Sequence, residues 1–224
     1  MSKVVSPPRR VEPRFYWTLT AIFAVVFVAS GLAPLDRTTW LLENALVLLA
    51  GVAIWVLRKR FAPSRSAATL LFVFMCLHEL GAHYTYSKVP YDAWLDSLTG
   101  HTLKDLLGFK RNHYDRLVHF GGGLLLAPLL RELLLRFSRL SDWGARLAAV
   151  SVVMSASLVY ELIEWAAASL FGEGVGAAYL GTQGDTWDAQ KDMALATLGG
   201  ILAMLALGSR RATPNDAEHP SSGR

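Results

Sequence analysis

Arg111-Asn112-His113-Tyr114-Asp115-Arg116-Leu117-Val118-His119-Phe120-Gly121-Gly122-Gly123 carries ionisable groups straight into a hydrophobic helix. Asp115 and His119 lie four apart, a spacing that puts both on one helix face, one turn from each other. Ionisable side chains at the mouth of a membrane span cost about 2.5 to 3.5 kcal/mol each on insertion scales unless something pairs with them. The rest of the chain is therefore expected to supply partners. The plainer alternative is a polar clamp between helices.

Outward from that stretch, the composition is that of an integral membrane protein: 224 residues, 53% hydrophobic, mean hydropathy +0.32, with several apolar runs of spanning length. The formal charge of +4 does not indicate nucleic acid, because the bases fall in short clusters between apolar runs rather than on one face. The single cysteine, Cys76, sits mid-run, which excludes an intrachain disulfide and suggests a buried, inert thiol.

The pattern predicts an all-α polytopic membrane helix bundle with six transmembrane helices, at about 15–35, 40–57, 67–84, 114–137, 145–171 and 191–207. Residues 1–14 and 209–224 read as disordered cytoplasmic tails, rich in Pro and charge. The first run, with its basic start and Ala29-Ser30-Gly31, also resembles a cleavable signal peptide, but its length and the membrane spans that follow favour an uncleaved span.

Lys and Arg counted by loop give 15 on the side of both tails and 7 on the other, so both termini are expected in the cytoplasm. Between spans three and four, Tyr91, Trp94, Leu95 and Leu98 recur at helical spacing, which predicts an amphipathic helix in the outer interface; Leu103, Leu106, Leu107 and Phe109 suggest a second short one. This segment is either a cover for the bundle or a lid over a site. Gly121-Gly122-Gly123 lies in an apolar span with no preceding strand, so it is read as helix packing rather than a phosphate loop, and Gly199-Gly200 likewise. Pro128 is expected to kink span four. Ser151, Ser155 and Ser157 are expected to bond helices together.

The ionisable residues then converge. Span three ends with His78, Glu79 and His83, span four opens with Asp115 and His119, and span five carries Glu161 and Glu164. Asp185 and Asp188 follow, and span six opens with Asp192. With the deduced topology all lie at outer helix ends, and seven carboxylates face few fixed cations, chiefly Arg116 and Lys191. So many anions together bind cations, keep protons, or both. A divalent metal is the economical answer, with Asp115, His119, Glu161, Glu164 and Asp192 as ligands and His83, Asp185 and Asp188 as ligands or general acid/base groups. Four-helix metal bundles use Glu-x-x-His, whereas here the spacing is Glu-x-x-x-His and Asp-x-x-x-His. A protonated or ion-paired network and a proton or ion pathway remain the alternatives. His78 is expected near lipid headgroups, His101 and His113 on surface loops, and Arg131-Glu132 as a structural pair at the inner surface. Thr182, Gln183 and Gln190 either orient ligands or satisfy loop backbone.

Gly81-Ala-His-Tyr-Thr-Tyr-Ser87, Arg111 to Phe120, Arg131-Glu132, Tyr160-Glu-Leu-Ile-Glu-Trp165 and Gly181 to Met193 together resemble the YjdF-like family of bacterial inner-membrane proteins, over roughly residues 15–208. That resemblance implies a multispanning protein of the cytoplasmic (inner) membrane and no particular activity. Asp115-Arg-x-x-His119-Phe120 is more distantly similar to the Asp-Lys-x-x-His-Phe of VanZ-like membrane proteins, some of which are associated with glycopeptide resistance. Asp192-x-x-x-Ala196-x-x-Gly199 is similar to their Asp-x-x-x-Asn-x-x-Gly, with Ala196 in place of the Asn.

The expected partners are membrane lipid and a lipid-linked or envelope substrate. The leading functional expectation is a metal-dependent enzyme acting on such a precursor at the outer leaflet. A proton- or ion-coupled small transporter and a non-catalytic membrane scaffold are the alternatives.

Overall fold

The computed structural model describes residues 13–180 and 182–207, with side chains described for 13–170 and 182–207. Eight helices are present among them: α1 (Pro13–Leu32), α2 (Arg37–Leu57), α3 (Arg65–His83), α4 (Tyr91–Thr99), α5 (Leu103–Leu107), α6 (Tyr114–Phe137), α7 (Asp142–Leu180) and α8 (Asp188–Ala206). The described residues contain no strand. Five of the helices, α1, α2, α3, α6 and α7, are long and apolar enough to cross a membrane. The 19-residue α8 is not among them, because Asp188, Gln190, Lys191 and Asp192 make its first two turns polar.

Local chemistry sets the boundaries. Asp36 caps α2 by accepting the Thr39 N–H at 2.6 Å, and those donors hold its carboxyl below the ordinary range. Ser64 caps α3, and Gly100 and Gly108, both at positive φ, end the short helices α4 and α5. Pro13 and Arg14 belong to α1, so the amino-terminal tail read from the sequence is two residues too long; what remains of both expected tails lies outside the described residues. The fifth span, expected to end at 171, continues as helix to Leu180. Its 39 residues are about 58 Å long, against roughly 30 Å of bilayer hydrocarbon.

The centre of the bundle is α6, against which α8, α3 and α7 pack. A core of small residues lies between α6, α7 and α8: Ala127, Ala149, Val153, Ala196 and Ala203, with Met204. Small residues here let backbones approach. A Cβ on Gly123 would overlap the Ala196 carbonyl oxygen, and one on Gly199 the carbonyl oxygen of Phe120, so the two glycine clusters do mark a close helix crossing. Pro128 is buried inside α6, which remains helical through it.

At one end of the bundle the end of α3 meets the α1–α2 turn, where the Leu35 N–H donates to the His83 carbonyl at 2.9 Å. Tyr86, Val89, Tyr114 and Val118 form a second core at that end. There α4 lies over the bundle with Leu98 84% exposed and Trp94 half open, while the Tyr91 hydroxyl accepts the His113 N–H at 2.9 Å. The amphipathic reading of 91–98 is thus met by a helix with one side seated and an apolar edge outward. At the opposite end, Glu132 accepts both the N–H and the hydroxyl of Ser64, while Arg131 pairs with Asp142. Arg131 and Glu132 therefore reach to separate elements, Glu132 to the cap of α3 and Arg131 to the start of α7.

Candidate functional site: a carboxylate and imidazole group roofed by arginines

Four helices contribute to the site. The first two turns of α6 carry Asp115 and His119, α8 brings Asp192 one turn in from its start, and α7 supplies Glu161 from its middle. One ligand-type atom from each of Asp115, His119 and Asp192 lies within 4.8 Å of the others. The His119 Nε2 stands 3.6 Å from Asp115 Oδ1 and 3.4 Å from Glu161 Oε1. Asp192 is 1% exposed, and its Oδ1, like Glu161 Oε1, is buried with no hydrogen-bond partner. Glu164, one turn along α7, is buried within the electrostatic field of Asp115, Glu161 and Asp192.

The fourth helix, α2, is one that helical spacing in the sequence does not single out. Glu43 is 1% exposed and accepts a hydrogen bond from the Tyr160 hydroxyl at 2.5 Å. The Tyr160 ring meets His119 edge-on at 5.6 Å. The only buried residues of α2 are Thr39, Glu43 and Asn44, all polar and all near its first turns. A signal for it does exist: Glu43-Asn44 interrupts an otherwise apolar span, and an intramembrane carboxylate is a functional candidate by default.

Asp185 and Asp188 lie above this group in an ion-pair roof. Arg111 forks onto Asp188, with Nη1 to Oδ1 at 2.6 Å and Nη2 to Oδ2 at 3.0 Å, and also donates to the Thr182 carbonyl. Arg116 reaches Asp185 at 2.5 Å and Asp188 at 3.1 Å, and Lys191 reaches Asp185 at 2.6 Å. Asp185 is held well below the ordinary carboxylate range, chiefly by the Lys191 hydrogen bond, then by the Trp187 N–H and Arg116. It stays an anion and has no proton to give near neutral pH. Gln183 exchanges two hydrogen bonds with the Asn112 backbone, at 2.9 and 3.0 Å, so it satisfies loop backbone and faces no ligand group. The His113 ring lies tilted against Phe109, centroids 4.3 Å apart, and is half-buried rather than a free loop residue; burial, then the Arg116 and Arg111 charges, push its imidazole below the ordinary range.

His83 stands apart, on the α1 side of α3, where Nδ1 bonds the Ser30 carbonyl at 2.8 Å. His78 is buried and shares a 2.6 Å hydrogen bond between its Nδ1 and the Tyr86 hydroxyl, which corrects the expectation that it faces headgroups. Tyr86 sits at φ 50° with its ring over Gly81, where a Cβ would come within 2.6 Å of the ring. Burial, then Glu43 and Asp115, raise its phenol well above the ordinary value, so Tyr86 stays neutral. Of the three serines expected between helices, Ser151 bonds the Leu147 carbonyl of its own helix, Ser155 is exposed, and only Ser157 is buried.

Set beside known proteins, residues 15–213 match the family model described as "Predicted membrane protein (DUF2238)". The chain is 33% identical over 202 residues to the inner membrane protein YjdF of Escherichia coli (strain K12), covering 89% of this chain and 91% of that protein. No solved structure matches it. The resemblance carried by the motifs around Asp115, Glu161 and Asp185 is therefore one of kinship along nearly the whole chain, and the protein belongs to this family of predicted membrane proteins.

Proposed function

We propose that Asp115, His119, Asp192 and Glu161 hold a divalent metal ion just beneath the outer surface of the bacterial inner membrane, and that the ion serves an enzyme acting on a lipid or envelope precursor at the outer leaflet. The spacing carries this reading. Two atoms each about 2.1 Å from a tetrahedral ion stand about 3.4 Å apart. His119 Nε2 lies 3.4 and 3.6 Å from two carboxylate oxygens, one of which, Glu161 Oε1, accepts no hydrogen bond. Buried carboxylates without a cation are costly, and the nearby guanidiniums are engaged on Asp185 and Asp188.

Glu164 is the reserve ligand of this set, and Glu43 with Tyr160 fixes the edge of the His119 ring. Asp115, Glu161, Asp192 and His119 would hold the ion, which would supply a Lewis acid for a phosphoryl or carbonyl oxygen or for water, and the Arg111–Arg116 roof restricts access from above. In this reading α8 is the sixth crossing, flanked by α6 and α7, and both termini lie in the cytoplasm.

The test is elemental analysis of detergent-purified protein. The wild type is expected to carry about one Zn, Mn or Fe per chain, and Asp115→Asn and Asp192→Asn to lose at least about tenfold in occupancy while remaining folded. A wild type with no stoichiometric metal, whose melting temperature ignores EDTA and added Zn or Mn, would overturn it.

A further inference from the structure

A second polar constellation lies outside that group, between α1 and α3. A groove of about 440 Å³ runs along the two helices, with Val26, Ala29 and Leu80 on its apolar walls, Glu79 partway along it and His83 and Tyr84 at its outer end. From Cys76 to Tyr84 it extends about 12 Å along the helix axis. Its outer end is thus at the end of α3, and with α3 read as a membrane span that end would stand at headgroup depth and the groove would follow the acyl region inward. Cys76 lines this groove half-buried rather than lying sealed in a core.

The Glu79 and His83 side chains offer the groove acceptors. Glu79 is 0% exposed; its Oε2 takes the Ser30 hydroxyl at 2.5 Å, and Oε1 is buried without a partner. The Trp40 indole N–H donates to the same Ser30 hydroxyl oxygen at 3.1 Å, and the Phe27 carbonyl at 2.9 Å is a second acceptor for the Ser30 proton beside Glu79. His83 Nδ1 faces a carbonyl oxygen, which only accepts, so Nδ1 carries the proton and Nε2 of the neutral ring keeps a lone pair. The Tyr84 ring, held edge-on between His83 at 4.6 Å and Trp94 at 6.0 Å, adds an aromatic face. Among the described residues, no Lys or Arg side chain lines the groove.

A carboxylate oxygen, an imidazole lone pair and an aromatic ring beside an apolar trough form a receptor for a cationic hydrogen-bond donor attached to an acyl chain. We infer that the α1–α3 groove binds a membrane phospholipid with a primary ammonium headgroup, its ammonium on Glu79, His83 and Tyr84 and its glycerol and upper acyl carbons against Val26, Ala29 and Leu80. The groove is separate from the Asp115 site and stands whether or not that site holds a metal.

The test is native mass spectrometry of the full-length protein released from micelles containing phosphatidylethanolamine, phosphatidylcholine and phosphatidylglycerol in equal amounts. Phosphatidylethanolamine is expected to be retained about tenfold over phosphatidylglycerol, with phosphatidylcholine between, since its quaternary ammonium keeps the ring contact and loses the hydrogen bonds. Glu79→Gln, which preserves the Ser30 contact, is expected to abolish that preference at an unchanged melting temperature. Leu80→Trp, which fills the trough and spares Glu79, is expected to remove the lipid adduct and decides the matter should Glu79→Gln fail to fold. Equal retention of the three lipids, a preference for phosphatidylglycerol, wild-type selectivity in Glu79→Gln or in Leu80→Trp, or displacement of the lipid by free ethanolamine at millimolar concentration would overturn the inference.

Discussion

Asp185 and Asp188 look like acid/base candidates in the sequence and sit in the structure as ion-pair partners of guanidinium and ammonium groups. The difference is one of distance along the chain: Arg111 and Arg116 are some seventy residues from the carboxylates they meet, so no local spacing reveals the pairing. The cluster sets a pH response whose sign follows from direction. His113, its folded value lowered, binds fewer protons than the unfolded chain below about pH 6.5, so its contribution falls as pH drops from there. Asp185, also lowered, keeps its full contribution above about pH 4 and loses it on further acidification. Melting curves in detergent are therefore expected to be flat from pH 8 to 7, to decline gently below 6.5 and to drop more steeply below 4. Asp185→Asn, which removes the carboxylate that accepts from Arg116 and Lys191, should melt a few degrees lower at pH 7 and lose the steep acid limb. A wild-type curve from that variant would mean that the roof contributes nothing.

Among the elements, periodicity and polarity are legible in the sequence: the apolar runs, the amphipathic stretch at 91–98, the glycine clusters and the same-face pair Asp115 and His119. Hidden from it are contacts that depend on how helices cross, such as Glu43 on α2 reaching Tyr160 on α7, and His83 bonding the Ser30 carbonyl on α1. The crossing of α6 with α8 is the contact on which the Asp115–His119–Asp192 geometry rests. Because a Cβ on Gly123 would meet backbone of α8, side chains there cannot simply rotate away. Gly123→Leu is expected to force the helices apart, lower stability by about 3 kcal/mol or more, and dissociate metal from any site shared between them. Gly51, with nothing within 4 Å of where a Cβ would stand, is the control: Gly51→Ala should leave stability unchanged or raise it by up to about 1 kcal/mol. Thermal unfolding of the two variants side by side distinguishes packing from helix propensity, and equal effects would refute the close-crossing argument.

For the whole molecule, orientation decides which compartment the site, its roof and the lipid groove address. The proposed outward-facing site rests on the Lys and Arg distribution, 15 to 7, and three of the seven bases on the proposed outer side, Arg111, Arg116 and Lys191, are engaged as ion-pair partners of Asp185 and Asp188. With these three set aside, the count of Lys and Arg is 15 to 4. A single native cysteine makes the orientation directly measurable. In a Cys76→Ser background, Ser97→Cys on the exposed side of α4 should react with a membrane-impermeant maleimide in spheroplasts. Ser138→Cys, exposed after the last turn of α6 at the other end of the bundle, should react only after the membrane is opened. The reverse pattern would place Asp115, His119, Glu161 and Asp192 under the cytoplasmic face. The metal site could then still exist, but its substrate would have to be sought among cytoplasmic-leaflet lipids rather than envelope precursors, since a buried carboxylate site at one end of a bundle serves only the compartment onto which that end opens.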